Sequence, residues 1–313
     1  MKQIIGTASN RVFFPRTKSV LGLVKFFYLL RIRGTFQFIM PHAIKFVNKT
    51  YTLPEFALLR EFIEGRYGLE IGGPTPMFRY TGLLPLYPLV SGIDNCIYSK
   101  ETVWSQFKFG SEDGSTFRNI IISEASDLSS IRDKKYDFVI SSHMIEHLSN
   151  PVKAVFEMKR VTRNEGAIII IAPHKDITFD HNRRVTSLEH MILDLNNNVK
   201  EGSIDHLDLD EIYRTYDFEL DSGIRDVNEF RERTLRNMEN RALHQHVFDT
   251  ETILKIYDYV QIKIVFVHTS PIYSIMVIGQ KSENYSTFEQ SHNRVITGNV
   301  NWRKFSLFST DKK

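Results

Sequence analysis

Five short apolar runs punctuate the middle of the chain: Tyr67–Ile71 (YGLEI), Leu89–Ile93 (LVSGI), Asn119–Ser123 (NIIIS), Tyr136–Ser142 (YDFVISS) and Ala167–Ala172 (AIIIIA). They are continuous rather than alternating, as in strands buried on both faces. Helical signals separate several of them. The clearest is Asn150-Pro151 followed by Val152, Val155, Phe156 and Met158. Asn is a good N-cap and Pro suits the first helical position. This helix is predicted to run to about Arg163 and to stop at Asn164-Glu165-Gly166, a left-handed ending. Strand, helix and strand in that order imply a right-handed parallel crossover. Pro173 to Tyr259, 87 residues, then read as helical with no clear strand, and Asp249 caps the last helix, Thr252–Tyr259. Two more runs, about Gln261–His268 and Tyr273–Gln280, are close enough to be antiparallel neighbours. The expectation is an α/β, seven-stranded, mostly parallel sheet with an antiparallel last strand and a helical insertion after strand five.

This division gives an N-terminal extension (1–54), a domain (55–281) with its insertion or lid at 173–259, and a polar, peripheral tail (282–313). Residues 1–54 carry nine Lys and Arg and no acid, which leaves 31 basic against 37 acidic residues in the remainder. A mildly acidic body is a poor DNA binder, which needs a cationic face, so no DNA partner is expected. Val20–Ile44 is apolar but broken by Lys25, Arg31, Arg33, Gly34 and Pro41. It suits an amphipathic helix against a membrane surface or a partner. The longest uncharged run, Ile264–Gln280, holds His268, Thr269, Ser270 and Pro271 in its middle, which fits two strands and a turn rather than a membrane span. A hydrophobic fraction of 42% with 25% charged residues excludes global disorder. A single cysteine, Cys96, excludes an intrachain disulfide framework and a cysteine-cluster zinc site. It fits a reducing, cytoplasmic setting.

In an open parallel sheet the ligand sits outside the carboxyl ends of the strands. After the first run comes Glu70-Ile71-Gly72-Gly73-Pro74. Glycine lets the backbone turn sharply and approach a ligand. The spacing is not G-x-G-x-x-G, so no diphosphate cradle is predicted. Asp94 follows the second run, where an acid accepts from a ribose diol. Glu124 follows the third, where it would accept from an exocyclic adenine amine. Acids at successive strand ends with no phosphate-binding lysine suit an adenosyl group without phosphate.

At this point the chain resembles a class I S-adenosylmethionine-dependent methyltransferase, a Rossmann-like fold, over about Tyr67–Pro173. The resemblance is carried by Leu69-Glu70-Ile71-Gly72-Gly73 and by Glu124-Ala125-Ser126-Asp127-Leu128. Its most specific stretch is Tyr136-Asp137-Phe138-Val139-Ile140-Ser141-Ser142-His143-Met144-Ile145-Glu146-His147-Leu148-Ser149-Asn150-Pro151. Of the family's E-x-G-x-G-x-G, only the first glycine is in place. The resemblance implies S-adenosylmethionine as cofactor, with Glu70, Gly72 and Gly73 toward its methionine end. It implies Asp94 at the ribose, Glu124 and Ala125 at the adenine, and Ser141 and Ser142 along the far side.

A sulfonium methyl is already activated, so catalysis is mainly alignment, worth about 7–11 kcal/mol in favourable cases. A general base adds about 10²–10⁴-fold when the acceptor must lose a proton. Eight of the eleven histidines fall within 143–246. His143 and His147 are the catalytic candidates. With Glu146 they also spell H-x-x-E-H, a zinc-protease pattern, but the motif follows a strand at once and Pro151 restarts the chain four residues later. No metal is therefore expected. His174, Asp180, His181 and Arg183 begin the insertion and are candidates for binding a small-molecule or glycan acceptor, most simply for O-methylation. His244 and His246 read as a structural pair. The alternatives are a metal-dependent hydrolase built on the His/Asp cluster and a non-catalytic nucleoside-binding protein of the same fold.

Overall fold

The structure is a computed structural model that describes residues 56–80, 82–99, 116–221, 223–270, 274–283, 302–306 and 308–312. The basic extension, 1–54, lies outside the described residues. Every described residue falls in one compact unit, Asn48–Lys313.

Helix α1 (Phe56–Ile63) leads into β1 (Tyr67–Ile71), followed by β2 (Gly92–Ile97), β3 (Phe117–Ile122), β4 (Tyr136–Ser142), α2 (Pro151–Val161) and β5 (Thr162–Ala172). The insertion holds α3 (Leu188–Asn196), α4 (Leu209–Thr215), α5 (Val227–Leu235) and the single turn α6 (Asn237–Asn240). Helix α7 (Thr250–Tyr259), β6 (Lys263–Ser270) and β7 (Ser274–Gln280) complete the sheet, and the short α8 (Trp302–Phe305) follows. The strand order is β3-β2-β1-β4-β5-β7-β6. Strands β1 to β5 pair in parallel, and β7 runs antiparallel to both β5 and β6. The expected seven-stranded, mostly parallel α/β sheet with one reversed strand is present.

The continuous apolar runs are the reason. Phe138, Val139 and Ile140 of β4 and Ile168 to Ile171 of β5 are fully buried, so both faces of the sheet are covered. Helix α2 begins as its sequence requires: Asn150 Oδ1 accepts from Lys153 N, with Pro151 at the first position. It buries Val152, Val155 and Met158 in the main core, where α7 adds Ile253, Leu254, Ile256 and Tyr257. Asp249 caps α7 through Thr252 N.

Several boundaries differ from the sequence reading. Helix α2 ends at Val161, not Arg163, and β5 begins at Thr162, so Asn164-Glu165-Gly166 lies inside the strand rather than stopping the helix. Strand β3 starts at Phe117, not Asn119. The second strand starts at Gly92, not Leu89, because β1 pairs Tyr67 with Gly92. The apolar residues before it form a loop that buries Leu83, Leu84, Leu86 and Tyr87. Helix α7 packs on the sheet with the main core, so the insertion ends near 249 rather than 259. The tail is not wholly peripheral either. Trp302 and Phe308 are buried, and the Phe308 ring stacks on His174 at 3.8 Å. Within the insertion, Ile212, Tyr216, Ile224, Phe230 and Leu243 form a second, smaller apolar cluster. No helix among the described residues is long and apolar enough to cross a membrane.

Candidate active site

The carboxyl ends of β1 and β4 lie side by side, with Ile71 opposite Ser141. Beyond β1, Gly72 has φ +86°, and a Cβ there would meet Met144 at 3.1 Å. Both facts call for glycine. The next glycine is required by packing: a Cβ on Gly73 would lie 2.1 Å from the Glu70 carboxylate. Glu70 is fully buried and accepts from Thr75 N at 3.0 Å and from Tyr87 Oη at 2.9 Å. It therefore sets the path of the loop after β1 from beneath. Asn95 Nδ2 donates to Gly73 O at 2.9 Å from the neighbouring strand. Two buried oxygens near these strand ends, Ser141 Oγ and Asn95 Oδ1, have no hydrogen-bond partner. Buried polar atoms without partners are uncommon in folded proteins, and these two suit a polar ligand lodged on the rim. Ser142 is buried beside them.

Asp94 is a correction. It is the third residue of β2 and not its end, and its carboxylate is fully buried. It accepts from Tyr67 Oη at 2.6 Å, Tyr136 Oη at 2.7 Å, Asn119 Nδ2 at 2.8 Å and Lys135 Nζ at 2.9 Å. Burial alone would raise its pKa, but these four donors outweigh it and hold the carboxyl below its ordinary range. With both oxygens committed to structure, Asp94 is not placed to hold a ribose. The residue that follows β2 is Tyr98. Its ring lies under the Arg241 guanidinium at 4.0 Å, and its hydroxyl donates to Met238 O. Sequence reasoning missed Arg241, which sits in the left-handed region with φ 50°. Its guanidinium donates to Glu124 Oε1 at 2.6 Å and lies 3.7 Å from Glu201. Glu124 is thus tied to the insertion through Oε1, while its side chain stays partly exposed. Burial pushes its pKa up to about 7, against the opposing pull of Arg241. Ala125 is buried in the main core.

After β4 the chain turns through His143, whose φ is 49° and whose N–H donates to Ile171 O at 2.8 Å. A non-glycine residue in this region is uncommon, and here it swings the half-exposed imidazole to the strand end. Glu146 lies behind it, almost wholly buried. Its Oε1 is 3.8 Å from His143 Nδ1 and 3.7 Å from His147 Nε2, while its Oε2 has no hydrogen-bond partner. Burial pushes the Glu146 carboxyl up to about 7.

His147 is buried, with Nδ1 donating to Leu243 O at 3.1 Å and its ring edge-on to His244 at 4.8 Å. Burial first, then the neighbouring His244, lowers its pKa well below the usual value, so it stays neutral. It backs Glu146 from the core side and does not share the exposure of His143. Glu146, His147 and His244 each bring a ligand atom within 4.8 Å of the others.

The four acceptor candidates are engaged inside the protein. His174 is fully buried between Phe308 and Asp311, with Nε2 3.2 Å from the carboxylate. Arg183 is buried and donates to His244 O at 2.6 Å and Gln245 O at 2.5 Å. Asp180 is buried and pairs with His244 Nδ1 at 2.7 Å. His181 sits 3.1 Å from Thr178 O and 3.6 Å from Asp217. The structure therefore makes His174, Asp180 and Arg183 supports of the insertion rather than an open acceptor surface. A surface hollow of about 490 Å³, lined by Arg66, Asp137 and Arg163 among others, lies at the opposite, amino end of the strands.

Residues 83–170 match a family model described as a methyltransferase domain. No curated protein matches the chain. Among solved structures it is similar to a SAM-dependent methyltransferase from Aquifex aeolicus, at 16% identity over 77% of this chain and 98% of that one, with a TM-score of 0.41. It is also similar to a SAM-dependent methyltransferase from Thermotoga maritima described as a possible histamine N-methyltransferase, at 13% identity over 80% of this chain and 98% of that one, with a TM-score of 0.40. A third, from Methanosarcina mazei, is 12% identical over 74% of this chain and 99% of that one, with a TM-score of 0.41.

The sheet order with its reversed seventh strand defines a Rossmann-like α/β domain with its ligand rim at the ends of β1 and β4. The match to a methyltransferase domain runs from the loop before β2 through most of β5, and S-adenosylmethionine is the methyl donor such a domain takes. Gly72, Gly73, Asn95 and Ser141 would fit that donor: a close backbone approach, unpartnered polar oxygens and, among the described residues at these strand ends, no phosphate-binding lysine, while Glu70 is spent on shaping the loop.

Proposed function

We propose that the enzyme methylates a hydroxyl of a small molecule or glycan, with His143 as the general base and Glu146 as the carboxylate that positions it. The donor supplies a sulfonium methyl that needs no further activation. The chain must then hold the acceptor in line and take its proton. His143 is the one member of the group at the strand end with substantial exposure, which suits contact with an acceptor. Glu146 behind it resembles the orienting carboxylate of a base–carboxylate pair. The observation that carries this reading is Glu146 itself, a buried carboxyl with one oxygen unpartnered and a pKa raised to about 7. His143 itself is held down to about 4 by burial first and then by His244, so its imidazole is neutral and open to a proton near pH 7. The 3.8 Å separation of Glu146 from His143 is open enough to tighten when an acceptor binds.

The test is release of S-adenosylhomocysteine with a panel of hydroxylated small molecules and glycans. With a productive acceptor, His143→Ala and Glu146→Gln are expected to lower kcat by about 10²–10⁴-fold while S-adenosylhomocysteine still binds. Full turnover in both variants would remove the pair from catalysis.

A further inference from the structure

Three histidines surround one buried carboxylate beside the active site. Asp194 lies on α3, one turn after His190, and is 2% exposed. His190 Nε2 is 3.3 Å from Asp194 Oδ2, and His206 Nδ1 is 3.2 Å from Asp194 Oδ1. His246 Nε2 stands 3.9 Å from Asp194 Oδ2. The three imidazole rings form a nearly equilateral triangle, with centroids 5.7 to 5.9 Å apart. One ligand atom each from His190, Asp194 and His206 lies within 4.8 Å of the others.

The hydrogen bonds around this group do not close it. Asp194 Oδ2, His206 Nδ1 and His246 Nδ1 are buried without a hydrogen-bond partner. The tautomer of His206 can be followed from its far side. Gln245 Nε2 donates to His147 O at 2.9 Å, which fixes the amide so that Oε1 is the acceptor. Gln245 Oε1 then accepts from His206 Nε2 at 2.9 Å. His206 Nε2 therefore carries a proton, and in the neutral ring the Nδ1 lone pair points at a carboxylate oxygen. Two acceptors facing each other in a dry site repel unless a proton on the imidazole or a metal ion lies between them. A histidine held through its outer N–H while its inner nitrogen faces a shared centre is the usual support of a metal ligand. Tetrahedral bonds of about 2.0–2.2 Å place neighbouring ligand atoms about 3.3 Å apart. His206 Nδ1 is 3.2 Å from Asp194 Oδ1 and His190 Nε2 is 3.3 Å from Oδ2, so each histidine meets one oxygen of the carboxylate at that spacing.

We propose that His190, Asp194 and His206 bind a structural divalent transition-metal ion of the zinc class. His246 packs beside them, but its Nε2 donates to Ser149 O at 3.4 Å, so the fourth position is left to water. Imidazole and carboxylate donors suit Zn²⁺. The ligands come from α3 and from the loop before α4, and the ion would staple these two parts of the insertion. This site is separate from Glu146 and His143 and does not depend on the proposed reaction.

The test uses the full chain stripped with a chelator and titrated with Zn²⁺ against a chromophoric competitor. Bound zinc is counted by elemental analysis, and Co²⁺ replacement reports tetrahedral geometry by its visible absorption. One equivalent per chain is expected. Asp194→Asn should weaken binding by at least about 100-fold, since loss of even an outer-shell partner costs 10–100-fold. His190→Ala, at a partly exposed position on α3, gives the same readout if the Asp194 variant fails to fold. Glu146→Gln should retain the metal. The proposal is overturned if the wild-type chain takes up no stoichiometric zinc. It is equally overturned if zinc survives Asp194→Asn and His190→Ala, or leaves with Glu146→Gln.

Discussion

Replacing Asp94 with alanine separates a structural role from a ligand-binding one. The substitution removes the acceptor for Tyr67, Tyr136, Asn119 and Lys135 at once. Asn119 is exposed and Lys135 partly so, and both recover water. Tyr136 is fully buried and Tyr67 half-buried, so their hydroxyls bear most of the cost. A hydrogen bond to a charged group is worth about 1.5–3 kcal/mol, and two such losses come to about 3–6 kcal/mol. Breaking a buried ionic network by removing one partner typically costs about 3–5 kcal/mol, in agreement. Urea unfolding of Asp94→Ala should show that loss at an unchanged m-value, with Tm lower by about 6–20 °C. Calorimetric titration below the transition should find S-adenosylhomocysteine affinity unchanged within roughly twofold. The reasoning is refuted if stability holds while affinity falls tenfold or more, the outcome expected had Asp94 held the ribose. Acid unfolding checks the same point. The folded carboxyl is held below its unfolded value of about 3.9. Its contribution is therefore present above that pH and is lost as pH falls through the folded value. Asp94→Asn should remove that limb.

Two further predictions follow from the described contacts. Phe308→Ala should lower stability by about 3–5 kcal/mol, because the ring is fully buried and stacked on His174; an unchanged thermal transition would unseat the tail from the body. With Glu146 raised to about 7 and His143 lowered to about 4, kcat/KM should climb with pH through about 7 to a plateau as the Glu146 carboxyl loses its proton and can orient the neutral imidazole. In Glu146→Gln that rising limb should vanish, and its persistence would assign the titration to another group.

Much of the fold was readable because it rests on local pattern. Strands β1 and β4 have the boundaries their apolar runs imply, and Asn150 and Asp249 cap the helices they precede. The second strand was misplaced because Leu89 and Val90 are apolar without being in the sheet. Only the pairing of Tyr67 with Gly92, a contact between distant segments, sets its start. The same limit applies to the site. An acid near a strand end looks alike whether it meets a ligand or, as Asp94 does, two tyrosines from other strands. His174, Asp180 and Arg183 were singled out for their polarity, yet their partners lie 61 to 137 positions away. Arg241 gave no local signal, since Glu124 and Glu201 become its neighbours only on folding. Of the metal-like cluster, the sequence displays just the one-turn spacing of His190 and Asp194.

On the proposed reading, the loop after β4 serves both halves of the reaction. Ser141 and Ser142 end the strand on the donor side, and His143 turns out of it. From Glu146 onward several backbone groups are held by the insertion. Gln245 N and His246 N donate to Glu146 O, and Gln245 Nε2 donates to His147 O. Glu201 accepts from Ser149 N and Asn150 N, while Arg241 ties Glu201 back to Glu124 beyond β3. The sheet thus fixes one end of this loop and the insertion fixes the other. A change in the insertion, such as loss of Gln245, is transmitted to the Glu146 backbone at a distance of one hydrogen bond. It leaves Glu70 and the loop after β1 untouched. On the proposed reading, acceptor geometry can vary while donor geometry is kept, because the two are anchored to different parts of the chain.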